Sequence, residues 1–200
     1  MNKLIMPNLI MKMLFISIIC FYLTCISDAV VFTDCRSSAC SFMADDANPI
    51  QAGNVAGSVL LPSIFKMSFD VQVASNNNEY PILANLIEIY SVTRQQSILR
   101  ISLAPLSNSN QINIIYNNQV IVDYGPPITF SPTSFSSLTV IVQEFSLTFS
   151  SQVWGKTYPI GGALVPGQTI VYASSKTVDA THVSAIGNIQ NVVIVGQSLV

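Results

Sequence analysis

Charge, histidine and cysteine are scarce in this sequence. Only 9% of its 200 residues are charged, with eight Lys and Arg against ten Asp and Glu, and there are one histidine and four cysteines. Duplex nucleic acids are bound chiefly by clustered basic side chains that neutralise phosphates, and the basic residues here are scattered. Zinc sites need four Cys or His ligands, which a chain with a single histidine does not readily supply. The composition therefore predicts no nucleic-acid partner, no zinc site and no cofactor.

Catalytic motifs are also missing. Glycoside hydrolases need two carboxylates that flank the scissile bond about 5–9.5 Å apart. Glu88 and Glu144 have no acidic residue two positions away on either side, so one strand does not place two carboxylates on one face. His182 is the sole imidazole, and no Gly-x-Ser-x-Gly nucleophile motif is present. We expect a protein that is not an enzyme, with a glycoside hydrolase kept as a residual alternative.

The N-terminal residues indicate export from the cytosol. Lys3 and Lys12 precede an apolar run at 13–26, and small residues follow it at Ser27 and Ala29. A basic segment, an apolar segment and small residues at a cleavage site are typical of a signal peptide. The run is shorter than the roughly 20 residues of a membrane span. We predict a helical signal peptide over residues 1–29 and a secreted or extracellular protein. The alternative is an uncleaved anchor, which would be the only contact with a membrane.

Two cysteines remain after removal of the predicted signal peptide. Cys35 and Cys40 are expected to form a disulfide, because an oxidising compartment favours pairing. This disulfide would staple an N-terminal segment over residues 30–57, which has no periodicity. The segment also holds a calcium candidate, since calcium prefers oxygen ligands, although such residues commonly form turns. The candidate ligands are Asp45, Asp46 and Asn48.

From Ser58 onward, apolar residues recur at every second position. In the run 65–73, five apolar residues alternate with four polar ones, which places the apolar side chains on one face of a strand. The pair Asn117-Asn118 separates two apolar runs and predicts a hairpin turn, because asparagine tolerates positive φ. Strands are expected at 65–73, 81–90, 98–104, 112–116, 120–124, 138–143, 145–150, 168–174 and 189–195.

These strands predict one all-β domain over residues 58–200. No convincing amphipathic helix interrupts them, and short strands with regular turn signals are typical of a sandwich or barrel. Lys66 and Pro81 are expected to protect edge strands, since lysine and proline discourage pairing with another chain.

Seven segments of the predicted sheet follow an order known from other proteins. They are Phe65–Val71, Arg100–Pro105, Gln111–Tyr116, Leu138–Gln143, Phe145–Phe149, Ile170–Ser175 and Ala185–Asn191. Together they resemble the concanavalin A-like lectin/glucanase superfamily, and its laminin G-like branch is the most similar. The resemblance implies a two-sheet antiparallel jelly-roll sandwich, an architecture often used in extracellular binding and adhesion.

Aromatic residues near turns are the candidate ligand-binding residues. Trp154 and Tyr158 belong to a Trp-Gly-Lys-Thr-Tyr segment that we interpret as a turn region, and Tyr124 precedes a Gly-Pro-Pro sequence. The C–H faces of a sugar ring pack on aromatic rings, while neighbouring polar groups bind its hydroxyls. The alternative is that Trp154 caps the end of the sandwich.

Two functions are consistent with these patterns. The first is a secreted or cell-surface lectin-like module that binds carbohydrate through loops at the sandwich edge. The second is a structural or adhesion protein of an extracellular coat or matrix that binds other proteins, for which exposed sheet edges offer a means of pairing. An exposed Trp154 beside a polar groove favours the first, whereas a buried Trp154 and a flat apolar surface favour the second.

Overall fold

The described part of the chain is built from β-strands. The computed structural model describes residues 30–43, 47–73, 82–104, 110–122, 127–128 and 130–196. Its regular elements are all strands, which confirms the predicted all-β fold. Among these residues no helix is long and apolar enough to cross a membrane. Contacts divide the chain after Val31, and every strand belongs to the second unit. The predicted signal peptide, residues 1–29, lies outside the described residues.

Nine described strands form the larger of two sheets. They are β1 (Thr33–Asp34), β4 (Val55–Leu61), β6 (Leu83–Ser91), β7 (Gln96–Ala104), β8 (Asn110–Tyr116), β9 (Gln119–Val122), β10 (Pro127–Ile128), β14 (Gly167–Ala173) and β15 (His182–Ser184). The order is β1-β4-β14-β6-β7-β8-β10, with β15 paired to β6 and β9 paired to β8. The strands are antiparallel except for β1 against β4 and β15 against β6.

Seven described strands form the smaller sheet. They are β2 (Ala39–Phe42), β3 (Asn48–Pro49), β5 (Phe65–Val73), β11 (Ser136–Val142), β12 (Ser146–Ser151), β13 (Gly155–Pro159) and β16 (Gly187–Gly196). The order is β13-β12-β11-β5-β16-β2, and β3 also pairs with β16. All of these pairs are antiparallel. The two antiparallel-rich sheets form a sandwich, as predicted.

Alternation along the strands fills the space between the sheets. In β5 the five apolar side chains are buried, and Lys66 on the opposite face is exposed. Phe65 and Phe69 of this strand join Leu99 and Ile101 of β7 in one hydrophobic cluster of buried residues. Period-two alternation brings apolar side chains from both sheets to a common core.

The predicted hairpin at Asn117-Asn118 is confirmed. These residues separate β8 from β9, with φ of 49° and 60°. Two successive positive φ values match the twist of antiparallel strands and favour Asn or Gly. The local sequence therefore decides this turn, which helps to build the candidate site described below.

The N-terminal segment contributes strands to both sheets. The Cys35–Cys40 disulfide is present, as predicted. Cys40 lies in β2 and is paired with Ile194 of β16. Strand β4 runs through position 57, the end of the segment proposed from sequence.

The edge-protection role predicted for Lys66 is wrong. Strand β5 lies between β11 and β16, so Lys66 stands in the interior of the smaller sheet. The polar face of an interior strand and that of an edge strand have the same sequence pattern, so alternation alone does not separate them. Pro81 lies outside the described residues.

Candidate functional site

The segment around Trp154 is a β-hairpin. Trp154 ends the turn between β12 and β13, where its carbonyl accepts a hydrogen bond from the Ser151 amide at 2.6 Å. The prediction that the whole segment is a turn region is wrong, because Gly155–Pro159 forms the edge strand β13. On the outer face of this pair, the Thr148 and Thr157 hydroxyl oxygens lie 2.8 Å apart. Such cross-strand pairs stabilise a sheet edge.

Trp154 lies partly in the core and partly at the surface. Its ring centroid is 5.8 Å from that of Phe149, with the planes tilted by 55°. Phe149 is fully buried, and Trp154 is half-buried against the same hydrophobic cluster. The indole therefore closes one edge of the sandwich, and part of its surface stays accessible.

Tyr158 and Lys156 lie on the same side of β13 as Trp154, because alternate residues of a strand share a face. Tyr158 is opposite the buried Leu147, so this side of the strand faces the sandwich interior. The Lys156 ammonium lies 5.2 Å from the centroid of the Tyr158 ring. Burial raises the pKa of the Tyr158 phenol. The hairpin thus presents two half-buried aromatic residues, and a cation lies over the ring of one of them.

A cavity of about 230 Å³ lies where the chain leaves β13 and approaches the β8–β9 hairpin. Strands β13 and β9, from different sheets, come within 8 Å of each other between Cα atoms. The cavity is lined by Tyr116, Asn117, Gln119 and Gly161–Leu164. We call the hairpin side chains Trp154, Lys156 and Tyr158, together with this cavity, the edge site.

Hydrogen bonds hold the polar lining of the cavity in place. Tyr116 is buried, and its hydroxyl accepts a hydrogen bond from the Leu164 amide at 2.9 Å. Burial raises the pKa of this phenol, and the bond from Leu164 opposes that rise. The Asn117 Oδ1 atom accepts a hydrogen bond from Gln96 Nε2 at 3.2 Å. Phenol and amide groups, which both donate and accept hydrogen bonds, therefore surround the space.

Two glycines keep the cavity open. A Cβ atom placed on Gly161 would meet nothing within 4 Å. Gly162 has φ of 124°, a conformation that residues with a side chain rarely adopt. The absence of side chains at these positions leaves space where a ligand can reach the backbone.

The other predicted site residues are not brought to this edge. Asn48 lies in β3, which pairs with β16, whereas β13 ends the opposite side of the smaller sheet. Asn48 instead lines a separate, more open cavity of about 420 Å³ within the loop 48–54. Within the described ranges, no three His, Cys, Asp or Glu side chains come together as metal ligands. Tyr124, Asp45 and Asp46 lie outside the described residues.

The sequence did not single out the cavity residues. Tyr116 meets Leu164 across 48 positions of the chain, and nothing local predicts such a contact. The Asn-Asn turn did predict where the hairpin reverses, and hence that Asn117 and Gln119 lie at one end of the sandwich. The predicted pairing of β8 and β9 was therefore the signal that the sequence offered for one part of the cavity. The path of the chain from β13 to β14, which supplies the rest of the lining, could not be predicted in this way.

No protein-family model and no curated protein sequence matches the chain. Solved structures do share its fold. A heptameric SAP-like pentraxin from Limulus polyphemus gives a TM-score of 0.52 at 12% identity, covering 84% of this chain and 80% of its own. The full extracellular region of zebrafish Gpr126/Adgrg6 gives 0.53 at 12% identity, covering 82% of this chain and 22% of its own.

A third similar structure is the Trypanosoma rangeli sialidase in complex with sialic acid. Its TM-score is 0.50 at 12% identity, and the match covers 78% of this chain and 27% of the sialidase. At this level of identity, these likenesses show the fold alone. The chain spans most of the pentraxin but about a quarter of the other two proteins. The fold is therefore a two-sheet β-sandwich that these proteins share, and the laminin G-like branch is not singled out.

Proposed function

We propose that the protein is a secreted, non-catalytic, lectin-like module that binds glycan at the edge site. The proposal includes the laminin G-like branch suggested by the sequence. The observation that carries it is the position of Trp154 and Tyr158, two half-buried aromatic residues on one side of an edge strand. The strand lies beside a cavity lined by phenol, amide and glycine backbone groups.

The chemistry of these groups matches that of a sugar. A pyranose has apolar C–H faces and a rim of hydroxyls, so it needs aromatic surface next to groups that donate and accept hydrogen bonds. Tyr158 supplies the aromatic surface, and Asn117 and Gln119 supply the groups that donate and accept hydrogen bonds. The cavity of about 230 Å³ lies below the roughly 300–1,000 Å³ of sites for drug-sized ligands. It therefore suits one or two sugar units rather than a long chain.

The similar solved structures support a sugar ligand only in a general way. The sialidase is a protein that holds sialic acid, but the match covers 27% of it, so its ligand site is not carried over to this chain. The Cys35–Cys40 disulfide and the presence of an extracellular region among the similar structures support secretion.

A protein partner is the second candidate function, and exposed apolar residues favour it. Phe145 is 65% exposed and Val165 is 64% exposed. Phe145 lies close to the edge site, since its carbonyl accepts a hydrogen bond from the Ile160 amide. An adhesive surface at this end of the sandwich would use these side chains rather than the cavity.

A glycan array separates the two functions. The purified protein is compared with Asn117→Gly and Gln119→Ala, which remove amide groups from the cavity. Glycine keeps the positive φ at position 117. The matched control is Gln51→Ala, in the separate cavity of the 48–54 loop. We expect wild type and the control to bind the same saccharide, and both cavity variants to bind it at least tenfold more weakly.

A site this open is expected to bind one sugar unit with a dissociation constant of about 1 mM, or about −4 kcal/mol. Multivalent display on the array compensates for that weakness. The proposal is overturned if no glycan is bound, or if all three variants bind like wild type. If no glycan is bound, the adhesive function is tested with Phe145→Ser. Loss of binding to an extracellular protein in this variant would support that function.

A further inference from the structure

A second polar cluster lies on the opposite sheet. In the larger sheet, Glu88 of β6 is paired with Arg100 of β7 and with Tyr172 of β14. The flanking residues Ile87 and Ile89 are buried in the core, so Glu88 points to the side of the sheet away from the core. Together with Tyr90 and Lys176, described next, Glu88, Arg100 and Tyr172 form what we call the sheet-face cluster.

Both carboxylate oxygens of Glu88 are used within the protein. Oε1 accepts hydrogen bonds from Arg100 Nε at 3.3 Å and from Nη2 at 2.8 Å. Oε2 accepts one from the Lys176 backbone amide at 2.7 Å. The Glu88 side chain is 2% exposed, whereas that of Arg100 is 21% exposed. The buried carboxylate therefore holds the guanidinium of a side chain that is partly exposed.

The guanidinium of Arg100 retains binding capacity after this pairing. It carries five N–H donors, and its contacts with Glu88 use two of its three nitrogens on one side. The planar fork on the other side has the geometry that a second carboxylate accepts through two parallel hydrogen bonds. A buried ion pair contributes little net stability, because desolvation offsets the attraction. Positioning Arg100 is thus a better explanation of the pair than stability.

Aromatic and cationic groups lie on the same sheet face as Glu88 and Arg100. The Lys176 ammonium lies 4.2 Å from the centroid of the Tyr90 ring. Tyr90 is half-buried, and its centroid is 6.5 Å from that of Tyr172 in an edge-on arrangement of 74°. Tyr172 thus supports Tyr90 from the side. Two cations and a half-buried ring thus share one sheet face, and the one carboxylate among them has both its oxygens occupied.

An unpartnered donor lies in the next row of the same face. Asn85 and Ser102 are paired on β6 and β7 and are both 0% exposed. Ser102 Oγ donates to Asn85 Oδ1 at 2.7 Å. Among the described residues, Asn85 Nδ2 has no partner. A buried donor without a partner costs about 1–3 kcal/mol, and such groups usually bind ordered water.

We propose that the sheet-face cluster is a second ligand site, which binds a carboxylate-bearing saccharide such as a uronic acid. Arg100 and Lys176 bind the carboxylate, and the Tyr90 ring packs against the sugar. The donors that this face offers match an acceptor-rich anion, whereas the edge site offers amides and phenol suited to neutral hydroxyls. The inference goes beyond the proposed function, because it concerns another sheet and another class of sugar.

Calorimetric titration with trigalacturonate tests this site, with neutral galactotriose as the matched ligand. The informative variants are Lys176→Gln and Arg100→Lys, the second of which keeps a cation beside the buried Glu88. Lys66→Gln is the control, since Lys66 is an exposed lysine of the smaller sheet that belongs to neither proposed site. We expect both cluster variants to weaken trigalacturonate binding at least tenfold. The control should bind like wild type, and galactotriose should not respond to either cluster variant.

Several outcomes would overturn the inference. They are no binding of trigalacturonate, equal binding of galactotriose at this site, or equal loss with Lys66→Gln. Sulfated galactotriose is an anion without a carboxylate. If it binds as tightly as trigalacturonate, the site attracts anions in general, which would contradict recognition of a carboxylate. Thermal unfolding of each variant confirms that it is folded. The edge-site variants Asn117→Gly and Gln119→Ala should leave trigalacturonate binding intact, so the two proposals succeed or fail separately.

Discussion

The indole of Trp154 has Phe149 on one side and remains partly accessible on the other. The sequence indicated the residue, because the chain's one tryptophan lies near a turn, where the core does not obviously need a large ring. It did not indicate the contact with Phe149, which depends on the register of β12 against β13. A turn of one more residue would place the indole on the other face of the strand. For a single residue, the sequence thus predicted which side chain is a candidate but not which side chains surround it.

Asp179 provides a test of the electrostatics of a single residue. Its Oδ1 atom accepts hydrogen bonds from the hydroxyl and backbone amide of Thr181, both at 2.7 Å, and from the His182 amide at 2.9 Å. These bonds, chiefly those from Thr181, lower the pKa of Asp179 from 3.8 to about 2. Because the folded pKa is the lower one, the carboxylate stabilises the fold above pH 4, and this contribution is lost as pH falls towards 2.

Replacing Asp179 by asparagine should flatten part of this acid dependence. The effect should stay below about 1 kcal/mol, because the group is exposed and solvent screens it. Chemical unfolding at pH 6, 4 and 2 measures it. The free energy of unfolding of wild type should fall more than that of Asp179→Asn between pH 4 and 2. Parallel declines of the two proteins over that interval would contradict the assignment.

Strands with strong alternation were predictable, and short edge strands were not. Strand β5 begins and ends at the predicted residues. Its five apolar side chains recur at every second position, so they can be buried together only when one face of a strand is turned to the core. Strand β13 was missed because its five residues include glycine and proline, which are depleted in strands. It forms because β12 offers an unpaired edge. Pairing with a neighbour, rather than propensity, decides such an element.

The packing of β16 against β5 gives a prediction at the scale of elements. Gly187 is paired with Val73, and a Cβ atom at position 187 would lie 2.0 Å from the backbone oxygen of Gln72. Backbone cannot move aside as a side chain can, so Gly187→Ala should destabilise the protein by about 1–3 kcal/mol or more. Gly161→Ala is the control, because its Cβ would meet nothing within 4 Å.

Denaturant unfolding of both variants measures the difference. Gly161→Ala should be unchanged or slightly more stable, since alanine lowers the entropy of the unfolded chain. Equal stability of the two variants would show that β16 and β5 do not approach as described.

For the whole molecule, the two-sheet sandwich was predictable, and the location of its sites was only partly so. Alternating strands leave a sandwich or a barrel as the ways to bury one face. The edge site needs loops from both sheets to meet, and the pairing of Glu88 with Arg100 needs the register of β6 against β7. Nothing next to Glu88 in the sequence indicates Arg100 as its partner, which lies 12 positions away. Local periodicity in the sequence does not predict such long-range pairings.

Glycan binding at the sandwich edge is tested most directly by fluorescence, because Trp154 is the chain's only tryptophan. The protein is titrated with the neutral saccharide that binds best on the array, by fluorescence and by calorimetry, alongside Asn117→Gly. A saturable change in Trp154 emission is predicted for wild type, at the dissociation constant found by calorimetry, and for Asn117→Gly at least tenfold more ligand should be needed. A saccharide that binds by calorimetry while Trp154 emission stays constant would contradict a site at this edge.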